Sequence, residues 1–424
     1  MKDFSTFITD LSRLIEFKSV CGKPASGAPF GTEIKKTLNL FLKLAQSFGF
    51  ETIDYDGYAG EIYFGQGEEI GIIGHLDVVP VSLGWNTDPW KLTEIDGVFY
   101  GRGVSDDKTP LLCCLYALKE LKESGLTVNK KFRLFVGCDE ETGWRDVAYL
   151  KTKTTLPEYG FSPDGNFPLS YAEKGITVVD FKFPALKNFY DVKGGTVVNA
   201  VCDYAQARAK KNGIDKSLLK KYNLSLRDGN LIESFGVAAH GSLPHLGKNA
   251  IKPLLEYFRD MGENLDGVID SLFNDIHGIG KIYNEQGYVT LSPDIISEKD
   301  GFITISCDCR IPAPLNQSDL LNVFDKFGLD YTTTERHPSV LVEKDGWFVK
   351  TLLNAYDSIT GENSQPISLG GSTFSRAFNK GCAFGPQFNG HNDHIHDANE
   401  NIPKENLLKA YKVYKTAIFG LNEK

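Results

Sequence analysis

The sequence predicts an α/β protein with a mixed, mostly parallel sheet, helices on both faces of that sheet, and an inserted α+β domain. Short, nearly continuous apolar strands alternate with helical segments up to about residue 175. Alternating strands follow from 176 to 348, and helical periodicity returns from 349 to 424. Continuous apolar strands separated by helices are typical of parallel sheets covered on both faces.

Residues 1–175 and 349–424 are predicted to form one domain. Apolar residues at helical spacing predict helices near residues 1–20, 33–48, 110–121, 347–361 and 406–421. Strands are predicted near 52–54 and in EEIGIIGHLD (68–77), KKFRLFVGCDEE (130–141) and YGFSPDG (159–165).

The insert, residues 176–348, has a different pattern. The segments ITVVDFKF and GFITISCDCRI alternate apolar and polar residues, and AIKPLLEYF has helical spacing. This mixture predicts an α+β domain with a half-solvated antiparallel sheet.

Composition excludes several classes of protein. The formal net charge is −9, and no Lys/Arg-rich block with interleaved aromatic residues is present, so we expect no nucleic-acid partner. No stretch reaches the roughly 18 apolar residues of a membrane span, so we expect no membrane partner and a cytoplasmic protein. The eight cysteines lack CxxC spacing and are expected to be buried thiols in a reducing compartment.

Ionisable residues stand where each predicted strand ends. His75 and Asp77 follow the first apolar run, Glu140 and Glu141 follow the second, and Asp164 follows the third. In open α/β sheets, ligands bind outside the carboxyl ends of the strands. These side chains therefore indicate a site at this edge of the sheet.

The residue types in these segments suit a metal centre. His75 and Asp77 are two residues apart in extended chain, so both project to one face, and a carboxylate commonly holds the second ring nitrogen of a ligand histidine. Three consecutive acids, 139–141, repel one another unless cations neutralise them. Adjacent residues point in different directions, so one of Glu140 and Glu141 can bind metal while the other handles protons.

Each segment alone also has an ordinary structural interpretation. GHLDVVP could be a capped surface loop, the aspartates of GRGVSDDKTP could cap a helix, SPDGNFP could be a turn, and HNDHIHDANENI could be a solvated loop. Their joint occurrence is what favours a site.

Together the motifs resemble the M20 family of dinuclear metallopeptidases, and within it the bacterial dipeptidases of the PepV type. The matching segments, in family order, are GHLDVVP, WNTDPW, YGRGVSDDK, DEETGWRD, SPDGNFP, GGTVVNAV, AAHGSLPHLGKNA, DCRIP, FGPQFNG and HDANENI. The resemblance covers nearly the whole chain.

The resemblance implies roles for individual residues. Two divalent cations, with zinc expected and manganese or cobalt as alternatives, would be bound by His75, Asp106, Glu141, Asp164 and His396. Asp106 would bridge the cations, and the peptide bond after it is typically cis in the family. Asp77 would orient the His75 ring. Glu140 would act as general base on a metal-bridging water.

The family pattern also implies substrate contacts. His240 and Asn199 would stabilise the oxyanion, and Arg310 and Arg376 are candidates for binding a substrate carboxylate because a guanidinium offers a bidentate fork. Gly370 and Gly371 could add backbone N–H groups. The insert has the length of the dipeptidase lid, which favours a monomer with a small peptide as its partner.

The function implied is hydrolysis of dipeptides or short peptides. The alternatives are an N-acyl amino acid deacylase of the same superfamily, a catalytically silent peptide-binding homologue, and a dinuclear phosphoesterase. Thr109 and Ser372 stand where the family usually has glycine, and either could alter how a substrate terminus is held.

Overall fold

The computed structural model describes residues 3–210 and 214–424. The chain forms two compact units. Unit 1 consists of Met1–Tyr171, Val342–Ile367 and Thr373–Lys424, and unit 2 of Ala172–Leu341 and Ser368–Ser372. The sequence places the corresponding boundaries near 176 and 348.

The main sheet of unit 1 has parallel strands at its centre. In order across the sheet, its strands are Glu51–Tyr55, Ala59–Phe64, Lys130–Gly137, Glu68–His75, Tyr159–Ser162, Lys380–Ala383 and Ser170–Glu173. The strands from Lys130–Gly137 to Lys380–Ala383 pair in parallel, and the flanking strands pair antiparallel. The predicted mixed α/β sheet is confirmed.

Helices surround this sheet. The α-helices of unit 1 are Phe4–Ile15, Thr32–Ser47, Lys108–Lys122, Arg145–Lys153, Trp347–Thr360 and Lys404–Asn422. Helix Lys108–Lys122 packs against Phe4–Ile15, Lys404–Asn422 and the sheet. It is buried around most of its circumference, as expected for a helix that is apolar on all sides.

Smaller elements complete unit 1. Thr93–Ile95, Val98–Tyr100 and Asn401–Pro403 form a small sheet, Gly165–Asn166 pairs with Pro386–Gln387, and Phe374–Ala377 is a 3-10 helix. The strands Val340–Leu341 and Ile367–Leu369 lie where the chain passes from one unit to the other.

Unit 2 is built on an antiparallel sheet. In order across it, the strands are Ser225–Arg227, Leu231–Phe235, Tyr204–Ala209, Phe189–Gly194, Thr290–Lys299, Phe302–Ile311, Gly175–Pro184 and Asp330–His337. The other elements are the α-helices Lys216–Lys221, Ile251–Asp260, Asp266–Leu272 and Gln317–Phe324, the 3-10 helices Pro244–Leu246, Ile279–Lys281 and Asp325–Phe327, and the hairpin Tyr283–Asn284 with Gly287–Tyr288. An apolar core that includes Phe181, Phe189, Phe258 and Phe324 fills the space between sheet and helices.

Two expectations from composition can be compared with the structure. All eight cysteines are free thiols, and seven of them are buried, as predicted, whereas Cys21 is half-buried. Over residues 3–210 and 214–424, every helix is too short or too polar to cross a bilayer.

Candidate metal centre

His75 is the last residue of a central strand of unit 1 and is fully buried. Its Nδ1 lies 2.9 Å from the backbone carbonyl oxygen of Asp77, which can only accept, so Nδ1 carries a proton and Nε2 is the nitrogen that can bind a metal once it is deprotonated. The sequence suggests the Asp77 carboxylate for this contact, but its Oδ1 is 3.6 Å away. The tautomer that a metal ligand needs is therefore fixed by a backbone carbonyl.

The Asp77 carboxylate has another set of contacts. Its Oδ1 accepts a hydrogen bond from the backbone N–H of Glu140 at 3.2 Å, and its Oδ2 accepts one from Glu141 at 3.1 Å. Asp77 thus connects the end of one central strand to the segment that follows the neighbouring strand. It positions both glutamates.

Gly74 precedes the histidine and permits a close approach. A Cβ atom at this position would overlap the carboxylate of Asp107. That carboxylate accepts a hydrogen bond from the backbone N–H of His75 at 3.1 Å. The peptide bond between Asp106 and Asp107 is cis, as the family resemblance implies.

Asp106 lies between two histidines that are far apart in sequence. Its Oδ1 is 2.9 Å from Nε2 of His75, and its Oδ2 is 3.0 Å from Nε2 of His396. Each carboxylate oxygen therefore faces a different imidazole.

The remaining candidate ligands lie on either side of Asp106. Oε2 of Glu141 is 3.1 Å from Nε2 of His396, and Oδ2 of Asp164 is 3.7 Å from Nε2 of His75. Atoms of His75, Asp106 and Glu141 that could bind one ion lie within 4.8 Å of one another, as do those of His75, Glu140 and Asp164. The structure thus brings together all five predicted ligands and Glu140.

Burial and mutual repulsion control the protonation of these acids. Burial raises the pKa of Glu140 well above its usual value, and the carboxylates of Asp164 and Glu141 raise it further. Burial, followed by the charge of Asp106, raises the pKa of Glu141 to about 7. Carboxylates this close together favour neutralisation, either by protons or by cations.

The pKa values of the two histidines are also raised, because the carboxylates around them stabilise the protonated imidazoles. Burial alone would lower the pKa of His396, but hydrogen bonds to Asp106 and Glu141 outweigh it and raise the pKa to about 11. Burial also opposes protonation of His75, and Asp106, Asp164 and Asp77 again raise its pKa well above the usual value. The cluster thus attracts positive charge strongly.

Asp139 is not part of this cluster, although the sequence suggests that cations neutralise all three consecutive acids. Its Oδ2 accepts from Nε of Arg145 at 2.6 Å, and its Oδ1 accepts from Nη2 of the same residue at 2.6 Å. An arginine six residues later therefore neutralises the first acid. The partner was visible in the sequence, since Asp139 and Arg145 both belong to the DEETGWRD segment and residues six apart can meet across a turn.

Glu400 is a buried residue that the sequence analysis did not assign to the site. Its Oε1 accepts from the backbone N–H groups of Ser105 and Asp106 at 2.8 and 3.1 Å. Its Oε2 accepts from the N–H of Gly103 at 2.9 Å and from Nη1 of Arg102 at 2.7 Å. The carboxylate thus ties the loop that carries Asp106 to the loop that carries His396. The Asn-Glu pair at 399–400, within the HDANENI segment, was the sequence feature that could have indicated this role.

The predicted substrate residues of unit 2 form a separate cluster within that unit. The N–H of Gly241 donates to the carbonyl of Asn199 at 2.7 Å, and Nη1 of Arg310 donates to the carbonyl of Gly370 at 3.1 Å. The backbone N–H of Ser242 donates to Nδ1 of His240 at 3.2 Å. In the neutral ring, Nδ1 is then the acceptor and Nε2 carries the proton.

Asp308 is the residue of this second cluster that sequence reasoning missed. It accepts from Nε of Arg310 at 2.9 Å and from Nη2 at 2.8 Å. A Cβ atom in place of the hydrogen of Gly241 would overlap its Oδ2. Asp308 precedes Arg310 by two residues in a strand, so both side chains project from the same face. This spacing could have indicated the pair from the sequence.

Gly371 and Arg376 complete the list of predicted residues. Gly371 belongs to unit 2, next to Gly370, whereas Arg376 lies in the 3-10 helix Phe374–Ala377 of unit 1. The two arginines predicted for substrate binding therefore belong to different units.

Comparison with known proteins places this geometry in a family. The model of Peptidase family M20/M25/M40 matches residues 71–419. The chain belongs to this family. The predicted family is thereby confirmed, and with it the prediction of a metal-dependent peptidase.

Relatives of this M20 peptidase match over almost their whole length. A protein of Staphylococcus epidermidis named "Putative dipeptidase" is 32% identical over 453 residues, which cover 98% of this chain and 96% of that protein. "Putative dipeptidase YtjP" of Bacillus subtilis is 31% identical over 450 residues, with the same coverage.

Solved structures share the fold at low sequence identity. Aminopeptidase PepT of Bacillus cereus has a TM-score of 0.62 and 15% identity, with 100% of this chain and 99% of that chain covered. YXEP of Bacillus subtilis, described as a dinuclear metal binding peptidase, has a TM-score of 0.52 and 11% identity, with 98% and 99% covered.

Proposed function

We propose that this M20 peptidase hydrolyses dipeptides with the help of two divalent cations held in unit 1. The position of Asp106 carries the proposal. Its two oxygens lie 2.9 and 3.0 Å from the Nε2 atoms of His75 and His396. A carboxylate that faces two separate imidazoles can bridge two cations, each with its own histidine.

The remaining ligands follow from the distances. Asp164, near His75, would complete the first cation site, and Glu141, near His396, would complete the second. Asp106, Glu141 and Asp164 supply three negative charges against the four positive charges of two divalent cations, so the loaded site is electropositive. Imidazole and carboxylate donors suit zinc, manganese and cobalt, and we propose zinc.

The chain's own residues divide the work of hydrolysis. When bound, the two cations would acidify a water molecule and polarise the substrate carbonyl. Glu140 would accept the proton of the water at its carboxylate and donate it to the leaving amine. Burial raises the pKa of the Glu140 carboxyl, and a higher pKa makes a carboxylate a stronger base for the proton of the water.

Glu140 rather than Glu141 is proposed as the base because of their contacts. Glu141 lies 3.1 Å from the imidazole of His396, as expected of side chains that share a cation. A carboxylate oxygen of Glu140 lies within 4.8 Å of possible ligand atoms of His75 and Asp164, so Glu140 could also bind a cation. Metal content of the variants described below distinguishes these roles.

Unit 2 would supply the substrate contacts. His240 and Asn199 are proposed as oxyanion donors, as the family resemblance implies. Ala200, the residue after Asn199, pairs with His240 in an isolated β-bridge. Arg310 uses three of its five N–H groups on Asp308 and Gly370 among the described residues. One N–H on each terminal nitrogen is left to bind a carboxylate end-on.

Arg376 and Gly371 are retained as further substrate residues on the strength of the family resemblance. The free, mostly buried thiols are typical of a reducing compartment and support a cytoplasmic location. The length of unit 2 supports a monomer.

The choice of dipeptides rests on the two curated relatives, whose names give that activity and which match 98% of this chain. An assay of zinc-loaded or manganese-loaded protein on Ala-Leu and on N-acetyl-leucine tests it. Release of alanine and leucine from the dipeptide, with the acetylated compound intact, is the expected result. Hydrolysis of N-acetyl-leucine alone would show that the chain is a deacylase instead.

A further inference from the structure

Unit 2 contains a cavity of about 520 Å³, which is within the range of small-molecule sites. Much of its wall is apolar and is formed by Leu243, Pro244, Leu272, Phe273, Val289 and Leu291. Its charged residues include Lys174 and Asp275, which have opposite signs. A cavity with such walls favours an uncharged, apolar occupant.

The cavity adjoins the cluster of predicted substrate residues in the same unit. Ser242 lines it, and the Oγ of Ser242 is 2.6 Å from Nδ1 of His240. Ser242 also lies beside Gly370. Thr290 lines it as well and is the cross-strand partner of Arg310.

Cross-strand partners project their side chains from the same face of a sheet, about 5 Å apart at Cβ. The hydroxyl of Thr290 is therefore directed to the side of the sheet that Arg310 occupies. Its Oγ1 is buried and has no hydrogen-bond partner within the described chain. A buried hydroxyl without a partner is costly, and a carboxylate bound by Arg310 would satisfy it.

We infer that this cavity receives the side chain of the C-terminal residue of the substrate, and that Thr290 helps Arg310 to hold that residue's carboxylate. The inference rests on the proposed function, since it assumes a dipeptide whose carboxylate lies on Arg310. It assigns a preference for apolar C-terminal residues such as leucine, methionine and phenylalanine.

The preference is tested with the zinc-loaded or manganese-loaded protein and the substrates Ala-Gly, Ala-Leu and Ala-Lys. We expect kcat/KM for Ala-Leu to exceed that for Ala-Gly by at least about tenfold, the effect of placing methylene groups in an apolar pocket. We expect Ala-Lys to be the poorer substrate of the two longer ones. Equal values for Ala-Gly and Ala-Leu, or a preference for Ala-Lys, would overturn the inference and leave the proposed function intact. If no dipeptide is cleaved, the proposed function fails.

Two neighbouring leucines provide a matched pair of variants. Leu243 lines the cavity and Leu246 does not, and their exposed fractions are 47% and 65%, so both tolerate a polar side chain. Leu243→Asp should lower the ratio of kcat/KM for Ala-Leu over Ala-Gly by about tenfold. Leu246→Asp should leave the ratio unchanged. The same ratio in both variants would show that the cavity does not contact the substrate.

The role of Thr290 is tested separately. Thr290→Val removes the hydroxyl at nearly constant volume and should raise KM about tenfold for Ala-Gly and Ala-Leu alike. Thr290→Ser, which keeps the hydroxyl, should restore KM. A KM unchanged by Thr290→Val, or equally impaired in both variants, would exclude a contact with the carboxylate.

Discussion

The charged clusters of the two units are organised in opposite ways. In unit 1, Asp106, Glu140, Glu141 and Asp164 converge with two histidines. Burial, together with the mutual repulsion of the carboxylates, raises the pKa values of the two glutamates and of Asp164. In unit 2, Arg310 is already paired with Asp308. The first cluster needs cations, whereas the second balances its own charge.

The difference indicates what each cluster can do. A bound cation stabilises an excess of buried carboxylates, so unit 1 is suited to hold metal. A guanidinium whose inner edge is held by an aspartate keeps a fixed orientation and offers its outer edge to a ligand. Unit 2 is thus suited to position a substrate.

The largest effect is expected from Glu140, the one acid of the first cluster that we assign to proton transfer. Glu140→Gln should lower kcat by about 10²–10⁴ and leave the metal content unchanged, as measured by plasma mass spectrometry. Glu141→Gln is the matched control and should lose metal. Loss of metal from Glu140→Gln would mean that Glu140 is a ligand.

Glu400 tests whether the first cluster depends on its supporting loops. Glu400→Gln leaves the buried Arg102 without its charged partner, which typically costs about 3–5 kcal/mol of stability. Because Asp106 also loses part of its support, we expect metal affinity to fall about 10–100-fold. Calorimetry on unfolding and on metal titration measures both.

Glu405 is exposed at the start of the last helix, so Glu405→Gln is the control for Glu400→Gln. It should change neither the stability nor the metal affinity. Unchanged metal affinity in Glu400→Gln would show that the loop around Asp106 is held by its other contacts alone.

Asp308 and Arg310 test the second cluster. Arg310→Lys and Asp308→Asn should each raise KM about tenfold, since each disturbs the same orientation of the guanidinium, and metal content should not change. The double variant should show less than the sum of the two free-energy changes because the residues share one interaction. Additive effects on KM would contradict the coupling.

The smallest effect is expected from Asp294, a residue of the strand Thr290–Lys299 in unit 2, and it concerns how the stability of the protein depends on pH. Burial raises the pKa of this acid from 3.8 to about 8. The folded state therefore holds a proton that the unfolded state has lost between pH 4 and 8, so stability falls as pH rises through that window. Asp294→Asn removes the dependence, and its melting temperature should exceed that of the wild type by a few degrees at pH 8.5.

At pH 4, Asp294 is protonated in the folded protein and roughly 40% protonated in the unfolded one, so the difference between the two melting temperatures should be much smaller than at pH 8.5. A constant difference at both pH values would mean that the substitution acts through packing instead.

Much of the fold could be predicted because local patterns determine it. The helix predicted near 33–48 is Thr32–Ser47, and the one near 110–121 is Lys108–Lys122. The apolar run before His75 is a central strand. Apolar periodicity is a local property of the chain, so these elements follow from it directly.

The ion pairs could not be predicted in the same way. Glu400 meets Arg102 across 298 positions, and no local pattern links two such distant residues. Arg145 and Asp308 are close in sequence to their partners, but an acid or an arginine near a site could equally face solvent. The metal ligands could be predicted from the sequence only because several family motifs occurred together.

The most direct test of the two-cation site is anomalous diffraction from crystals of the zinc-loaded protein. We predict two zinc peaks, one bound by His75, Asp106 and Asp164 and the other by Asp106, Glu141 and His396. A single peak at full occupancy, or two peaks of which Glu140 binds one, would contradict the proposed site.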